Sequence, residues 1–227
     1  MDDLILYAIP TPLGGPTVEA LTPFALSTVR SLKDFAVENA KSARAFLAEL
    51  GMPVRELNIF EIEKEAEPLK PLREGRSLGL LSEAGCPAIA DPGAALVEAA
   101  HRQGFKVVPL VGPSSITLAL MASGLEGQRF AFCGYLPREP ADREKRIREL
   151  EKRSKTEQET EVFIETPYRN DALLGSLLKI CNPATRLCVA ADLTLATQYV
   201  VTKDIREWRT AVPPIGKRPA VFLLLAK

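Results

Sequence analysis

The chain has 227 residues, with 29 Lys+Arg against 29 Asp+Glu and a formal net charge of zero. That balance removes the whole-molecule attraction to nucleic acid or anionic membrane of a strongly basic protein and leaves only local patches to consider. Hydrophobic residues at 46% and charged residues at 26% are the proportions of a soluble globular protein of one large or two small domains. No apolar run approaches the roughly 20 residues of a membrane helix. Met1-Asp2-Asp3 is acidic, which argues against a signal peptide, so a cytoplasmic protein is expected. The four cysteines, Cys86, Cys133, Cys181 and Cys188, lack C-x-x-C spacing and read as buried free thiols in a reducing compartment.

In chain order, Leu4 to Ile9 reads as a strand that runs into Pro10-Thr11-Pro12-Leu13-Gly14-Gly15-Pro16, a stiff loop. Thr17 to Arg30 fits one helix, Asp34 to Val37 a strand, and Ser42 to Leu50 an amphipathic helix with Gly51 at its end. Leu57 to Ile59 reads as a strand, and Glu61 to Arg73 as an exposed helix interrupted by Pro68 and Pro71. Arg76 to Leu81 is a strand feeding the turn Ser82-Glu83-Ala84-Gly85-Cys86-Pro87 and a second turn at Asp91-Pro92-Gly93. A helix over Ala94 to Arg102, a strand over Phe105 to Leu110 and a break at Gly112-Pro113-Ser114-Ser115 follow, then another apolar helix.

Beyond Ser123 the pattern becomes richer in strands, at Arg129 to Tyr135, Glu161 to Ile164, Arg186 to Ala190, Gln198 to Thr202 and Ala220 to Leu225. Helical spacing appears in Ala141 to Lys155 and Leu173 to Ile180, and a helical turn in Asp204 to Arg209. Strand–helix alternation in the first half predicts a mostly parallel sheet, and the second half a mixed one. The expected division is two α/β domains, 1–112 and 113–227. Between Arg138 and Lys155 there are eight Lys/Arg against five Asp/Glu, which is either a solvated helix face or a phosphate-contacting patch carried by Arg138, Arg143, Arg146 and Arg148.

The chemistry is narrowed by what is missing. His101 is the only histidine, so a histidine-based metal site lacks its parts, and a Ser-His-Asp triad would have to use that same residue without a G-x-S-x-G elbow for its serine. The phosphate loop G-x-x-x-x-G-K-[ST] and the G-x-G-x-x-G fingerprint are absent. What remains is a set of Gly/Pro/Ser turns at strand ends, which either close βα connections or hold a zwitterionic or nucleoside-like ligand on backbone groups.

Several of these stretches, in order, resemble one family. Pro87-Ala88-Ile89-Ala90-Asp91-Pro92-Gly93 and Val111-Gly112-Pro113-Ser114-Ser115 resemble motifs of the tetrapyrrole methylase superfamily, as do Thr11-Pro12-Leu13-Gly14, Gly134-Tyr135-Leu136-Pro137, Glu165-Thr166-Pro167-Tyr168-Arg169 and Asp192-Leu193-Thr194. Within it the chain looks most like the branch that 2′-O-methylates a cytidine of small-subunit ribosomal RNA. The resemblance implies a methyltransferase that uses S-adenosylmethionine held in a cleft between two α/β domains, with homodimers common. It implies cofactor contacts at Pro12, Glu83, Ala84, Gly85, Cys86, Ser115, Ile116, Thr166, Leu193, Pro219 and Ala220. Glu165 and Asp192 are the expected catalytic carboxylates, because a ribose hydroxyl is a poor nucleophile that benefits from a base. Ribosomal RNA or the small ribosomal subunit is the expected partner. A tetrapyrrole or other small-molecule acceptor is the alternative, and a cofactor-binding module without catalysis a third reading, motivated by Asn39-Ala40-Lys41 in place of a common D-T-R.

Overall fold

The computed structural model describes residues 4–227, so the acidic Met1-Asp2-Asp3 start lies outside the described residues. The chain forms two compact units, one ending at Ser114 and the other Ser115–Lys227.

The first unit contains β1 (Ile5–Ile9), α1 (Thr17–Ala20), α2 (Pro23–Ser31), β2 (Asp34–Val37), α3 (Ala40–Glu49), β3 (Asn58–Glu61), α4 (Lys70–Arg73), β4 (Leu78–Leu81), α5 (Ala94–Arg102) and β5 (Lys106–Pro109). Its five strands pair in the order β3-β2-β4-β1-β5, and every pairing is parallel. A parallel sheet must be covered on both faces, and the alternation along the strands supplies two apolar faces. Phe35, Val37, Ile9 and Leu81 join Ala25, Val29, Phe46 and Leu47 of α2 and α3 in one core. Ala36, Leu6, Leu78 and Leu80 join Leu72, Leu96 and Ala100 of α4 and α5 in the other.

Two expectations for this unit need correction. The single helix over Thr17 to Arg30 is two helices, because Pro23 opens α2 at its first turn and Thr22 caps it, accepting from the Ala25 N–H at 3.1 Å. The expected exposed helix over Glu61 to Arg73 is a 3₁₀ turn at Ile62–Lys64 and the four-residue α4, with Leu69 and Leu72 buried. Its two prolines leave too few donors for a longer helix.

The second unit contains α6 (Ser115–Ser123), β6 (Phe130–Tyr135), α7 (Pro140–Glu157), β7 (Thr160–Ile164), α8 (Asn170–Ile180), β8 (Arg186–Ala191), β9 (Tyr199–Asp204), α9 (Ile205–Trp208) and β10 (Ala220–Leu225). The order is β6-β7-β10-β8-β9; β6 and β7 are parallel and the other pairs antiparallel, the mixed sheet expected. Phe163 and Phe222 stack at the centre of its core, with ring centroids 6.1 Å apart.

Helix α7 departs from a uniformly solvated face. Its inward stripe is Arg143, Ile147, Leu150 and Ser154. Arg143 is 6% exposed, and its guanidinium donates to Ser176 Oγ at 3.0 Å and to the Arg138 carbonyl at 3.0 Å. It is therefore turned inward, away from any phosphate. Arg146 and Arg148 face solvent but pair with Glu149 and Glu144. Among the described residues no helix is long and apolar enough to cross a membrane.

The two kinds of arginine should separate in denaturation. Arg143→Gln leaves buried acceptors without a donor and should lower unfolding stability by about 2 kcal/mol, whereas Arg148→Gln should stay within about 0.5 kcal/mol of wild type in urea titrations. Equal small effects would contradict the inward assignment.

Candidate active site

In the first unit the carboxyl ends of β1, β2, β4 and β5 share one edge of the parallel sheet, where ligands of open α/β sheets bind. Three of the loops leaving that edge are fastened to each other through backbone. Thr11 and Gly85 exchange hydrogen bonds in both directions, Thr11 N–H to Gly85 O at 2.9 Å and Gly85 N–H to Thr11 O at 3.0 Å. The Cys86 thiol donates to the Pro113 carbonyl at 3.4 Å. Burial pushes that thiol above its ordinary pKa, so it is a donor here rather than a thiolate nucleophile.

Glycine is required at two points of this knot. Gly85 has φ +80°, and a Cβ there would meet Leu13 Cδ2 at 3.3 Å and the Pro113 carbonyl at 3.8 Å. Gly112 lies so close to Pro10 that a Cβ would fall 2.5 Å from the proline's own Cβ. Pro12, Glu83, Ala84, Gly85 and Cys86 therefore belong to one interlocked set of loops.

An acidic rim accompanies the knot. Glu38 follows β2, its N–H bonding the Leu81 carbonyl at 3.1 Å, and its carboxylate accepts from the Glu83 N–H at 3.0 Å. The Asp91 carboxyl is pushed up to about 6, first by burial and then by the negative charge of Glu38, with Glu83 adding to the rise and a Ser82 hydrogen bond opposing it. Asn39, whose segment departs from the family pattern, caps α3: its side-chain oxygen accepts from Lys41 N–H at 2.8 Å and Ser42 N–H at 3.3 Å. An aspartate would do the same, so this departure has a structural account.

In the second unit, antiparallel pairing sets the start of β10 beside the ends of β7 and β8, with Val221 opposite Ile164 and Ala220 opposite Ala191. That register gathers Thr166, Asp192, Leu193, Pro219 and Ala220 at one sheet edge, and the Asp192 N–H bonds the Pro219 carbonyl at 3.0 Å. Tyr135 joins the same edge, opposite Ile164. Ser115 and Ile116 open α6, where Ile116 is buried.

Both expected catalytic carboxylates are engaged with arginines. Glu165 is buried and ion-paired to Arg169, and it also accepts from the Thr166 N–H at 2.7 Å, while its second oxygen is buried with no partner. Asp192 accepts from Arg218 Nε at 2.7 Å and Thr197 Oγ1 at 2.9 Å. Burial works to raise its pKa, but those hydrogen bonds and the Arg218 charge outweigh it and hold the carboxyl below its ordinary value. Arg169, Arg218 and Asp91 are the functional candidates that residue patterns alone did not single out. Arg169 was visible only as an i+4 partner of Glu165, and Arg218 only as the neighbour of Pro219.

Backbone strain falls in the same places. Non-glycine residues with positive φ are Ala88 (65°), Ala90 (66°), Asp192 (51°), Thr194 (72°) and Gln158 (53°). Gln158 ends a helix, where such a conformation is ordinary. The other four lie in the stretches that resemble the family's motifs, and such outliers cluster at ligand sites.

Among the described residues no three His, Cys, Asp or Glu side chains converge as metal ligands would. These features define an α/β protein whose strand-end loops are interlocked through backbone hydrogen bonds and carry an acidic rim. The family described as Tetrapyrrole (Corrin/Porphyrin) Methylases matches residues 6–208, and the chain belongs to it. It is thus an S-adenosylmethionine-dependent methyltransferase. A protein of Vibrio cholerae named ribosomal RNA small subunit methyltransferase I is 34% identical over 89% of this chain and 69% of its own length. One of the same name from Halalkalibacterium halodurans is 33% identical over 81% of this chain and 63% of its own length. The chain thus spans about two thirds of the length of these relatives. Among solved structures, diphthine synthase shares the fold, with a TM-score of 0.68 at 16% identity over 99% of this chain and 90% of that one.

The residues present fit the cofactor. Gly85 lets the loops close on Thr11 and Pro113 without a side chain striking Leu13, and the rim of Glu38, Glu83 and Asp91 suits a ligand carrying a sulfonium and an ammonium.

Asp91 also predicts a pH dependence. Its folded pKa lies above the unfolded value of about 4, so its contribution to stability is present below pH 4 and is lost as pH rises through about 6. Asp91→Asn removes that loss. The melting temperature of the variant relative to wild type should rise between pH 4 and pH 7 and then level off. A difference that stays flat across this range would contradict the assignment.

Proposed function

We propose that the chain methylates small-subunit ribosomal RNA at a ribose 2′-hydroxyl. The observation that carries the acceptor is the shared name of relatives 33–34% identical to it; the 2′-position is what the collinear motifs imply. When bound, S-adenosylmethionine would supply an electrophilic methyl carbon with a neutral thioether as leaving group, and the proton of the acceptor hydroxyl would pass to solvent water. The chain's contribution is positioning, which in favourable cases accounts for roughly 7–11 kcal/mol of a barrier. The family resemblance assigns donor contacts to Pro12 and Glu83 to Cys86 in the knotted loops of the first unit, and to Ser115, Ile116, Thr166, Leu193, Pro219 and Ala220.

Glu165 and Asp192 act as positioning residues in this reading. Each holds a guanidinium, Arg169 or Arg218, instead of standing free to take a proton. Arg138, Arg146 and Arg148 are the solvent-facing cations available for phosphate, with Arg143 excluded by its burial. The working form in this reading is a homodimer, as the family resemblance implies, and its compartment is the cytoplasm, in keeping with cysteines that form no disulfide.

Mass spectrometry of nuclease-digested small-subunit ribosomal RNA tests the acceptor. A strain lacking the gene should lose one 2′-O-methylated nucleotide and regain it when the chain is supplied. An unchanged methylation profile would move the acceptor to a small molecule.

A further inference from the structure

A cavity of about 470 Å³ in the second unit is lined by Tyr135, Leu136, Pro137, Arg138, Thr166 and Arg169. That volume is within the range of pockets for small ligands, roughly 300–1,000 Å³. One exposed tyrosine lines it and a second adjoins it in sequence. Tyr135 is 55% exposed on the cavity wall, and Tyr168, between lining residues Thr166 and Arg169, is 79% exposed. Each is presented by stiff backbone. The β6–β7 register shifts between Phe132 and Tyr135, a bulge that re-aims the strand end. Tyr168 sits in a 3₁₀ turn that begins with Pro167, closed by the Arg169 N–H to the Thr166 carbonyl at 2.9 Å.

The cations beside these rings are arranged rather than scattered. Arg169 is held by the buried Glu165 carboxylate and by Thr166 Oγ1 at 3.1 Å, and its fork has donors left for a ligand. Arg138 stands on the cavity wall beside it. Lys217 Nζ lies 4.9 Å from the Tyr168 ring centroid, a cation–π contact on a ring that remains exposed. Fixed aromatic faces flanked by cations make a stacking platform for single-stranded nucleic acid: π-faces take bases and the cations take phosphates. A tyrosine patch meant only to be buried against protein would not need Arg169 fixed by a buried carboxylate.

We propose that this cavity and the adjoining Tyr168 form a nucleobase subsite, in which one or two unpaired bases of the acceptor strand stack on Tyr135 and Tyr168 while Arg138 and Arg169 hold the adjoining phosphate. The inference rests on the RNA reading above and adds what that reading leaves open: the acceptor segment is engaged single-stranded, through its bases.

Fluorescence anisotropy with the full chain tests it, using a labelled single-stranded oligoribonucleotide of about twelve residues and a partner oligonucleotide of the same length whose central riboses are abasic. Wild type should prefer the intact strand. Tyr168→Leu and Tyr135→Leu should each weaken binding of the intact strand roughly 5- to 100-fold and leave abasic binding unchanged, at an unaltered salt slope because no charge is removed. Tyr168→Phe should keep wild-type affinity. Arg138→Gln should weaken both strands and lower the salt slope by about one ion. Equal wild-type affinity for the two strands, or leucine variants that bind the intact strand like wild type, would overturn the subsite while leaving RNA methylation standing. Leucine variants that change the sedimentation coefficient and not the base preference would overturn it too, since the tyrosines would then cover a second copy of the chain. If wild type binds S-adenosylmethionine but neither strand, the RNA reading itself falls, and the subsite with it.

Discussion

Where parallel strands stop, their backbone groups lose ladder partners and must find others, and the solution adopted in the first unit governs what that sheet edge can do. Thr11 and Gly85 pair reciprocally across two loops, and Cys86 ties the second loop to Pro113 of a third. This is possible only because Gly85 takes a left-handed conformation and Gly112 has no side chain to strike Pro10. A non-glycine residue in the left-handed region costs about 1 kcal/mol or more, and at Gly112 the neighbour in the way is a rigid ring. The loops are thereby fixed before any ligand arrives, which is the preorganisation that limits the entropic cost of binding.

The second unit meets the same need with charge. Buried Glu165 and Asp192 would be costly alone, and each is matched by an arginine that it holds at the sheet edge. Arg169 and Arg218 are thus placed by carboxylates that sit at strand ends. Pairing lowers the Asp192 carboxyl and makes it a weak proton acceptor at neutral pH. Methyl transfer from a sulfonium tolerates this, because the leaving group is already activated and alignment carries much of the rate.

Much of the fold was readable from residue order because local signals agreed with it. α5 runs Ala94–Arg102, as its apolar spacing and Gly104 indicate, and strand–helix alternation distinguished the parallel sheet from the mixed one. Pro23 inside an otherwise helical run was the overlooked break. Arg143 was legible in hindsight: Ile147 and Leu150 define an inward stripe, and one turn before Ile147 on that stripe is residue 143. The loops of the candidate site were visible as Gly/Pro/Ser turns. The partners that give them meaning were not, since Asp192 meets Arg218 only through the register of β10 against β8, a long-range fact that no local pattern carries.

We propose that the knotted loops of the first unit hold the methyl donor. Isothermal titration calorimetry of S-adenosylmethionine into wild type and Gly85→Val measures it directly. The account predicts one site per chain in wild type and at least tenfold weaker binding in the variant, with the variant still folded by circular dichroism. Wild type that binds nothing at millimolar ligand, or a folded Gly85→Val that binds as wild type does, would contradict it.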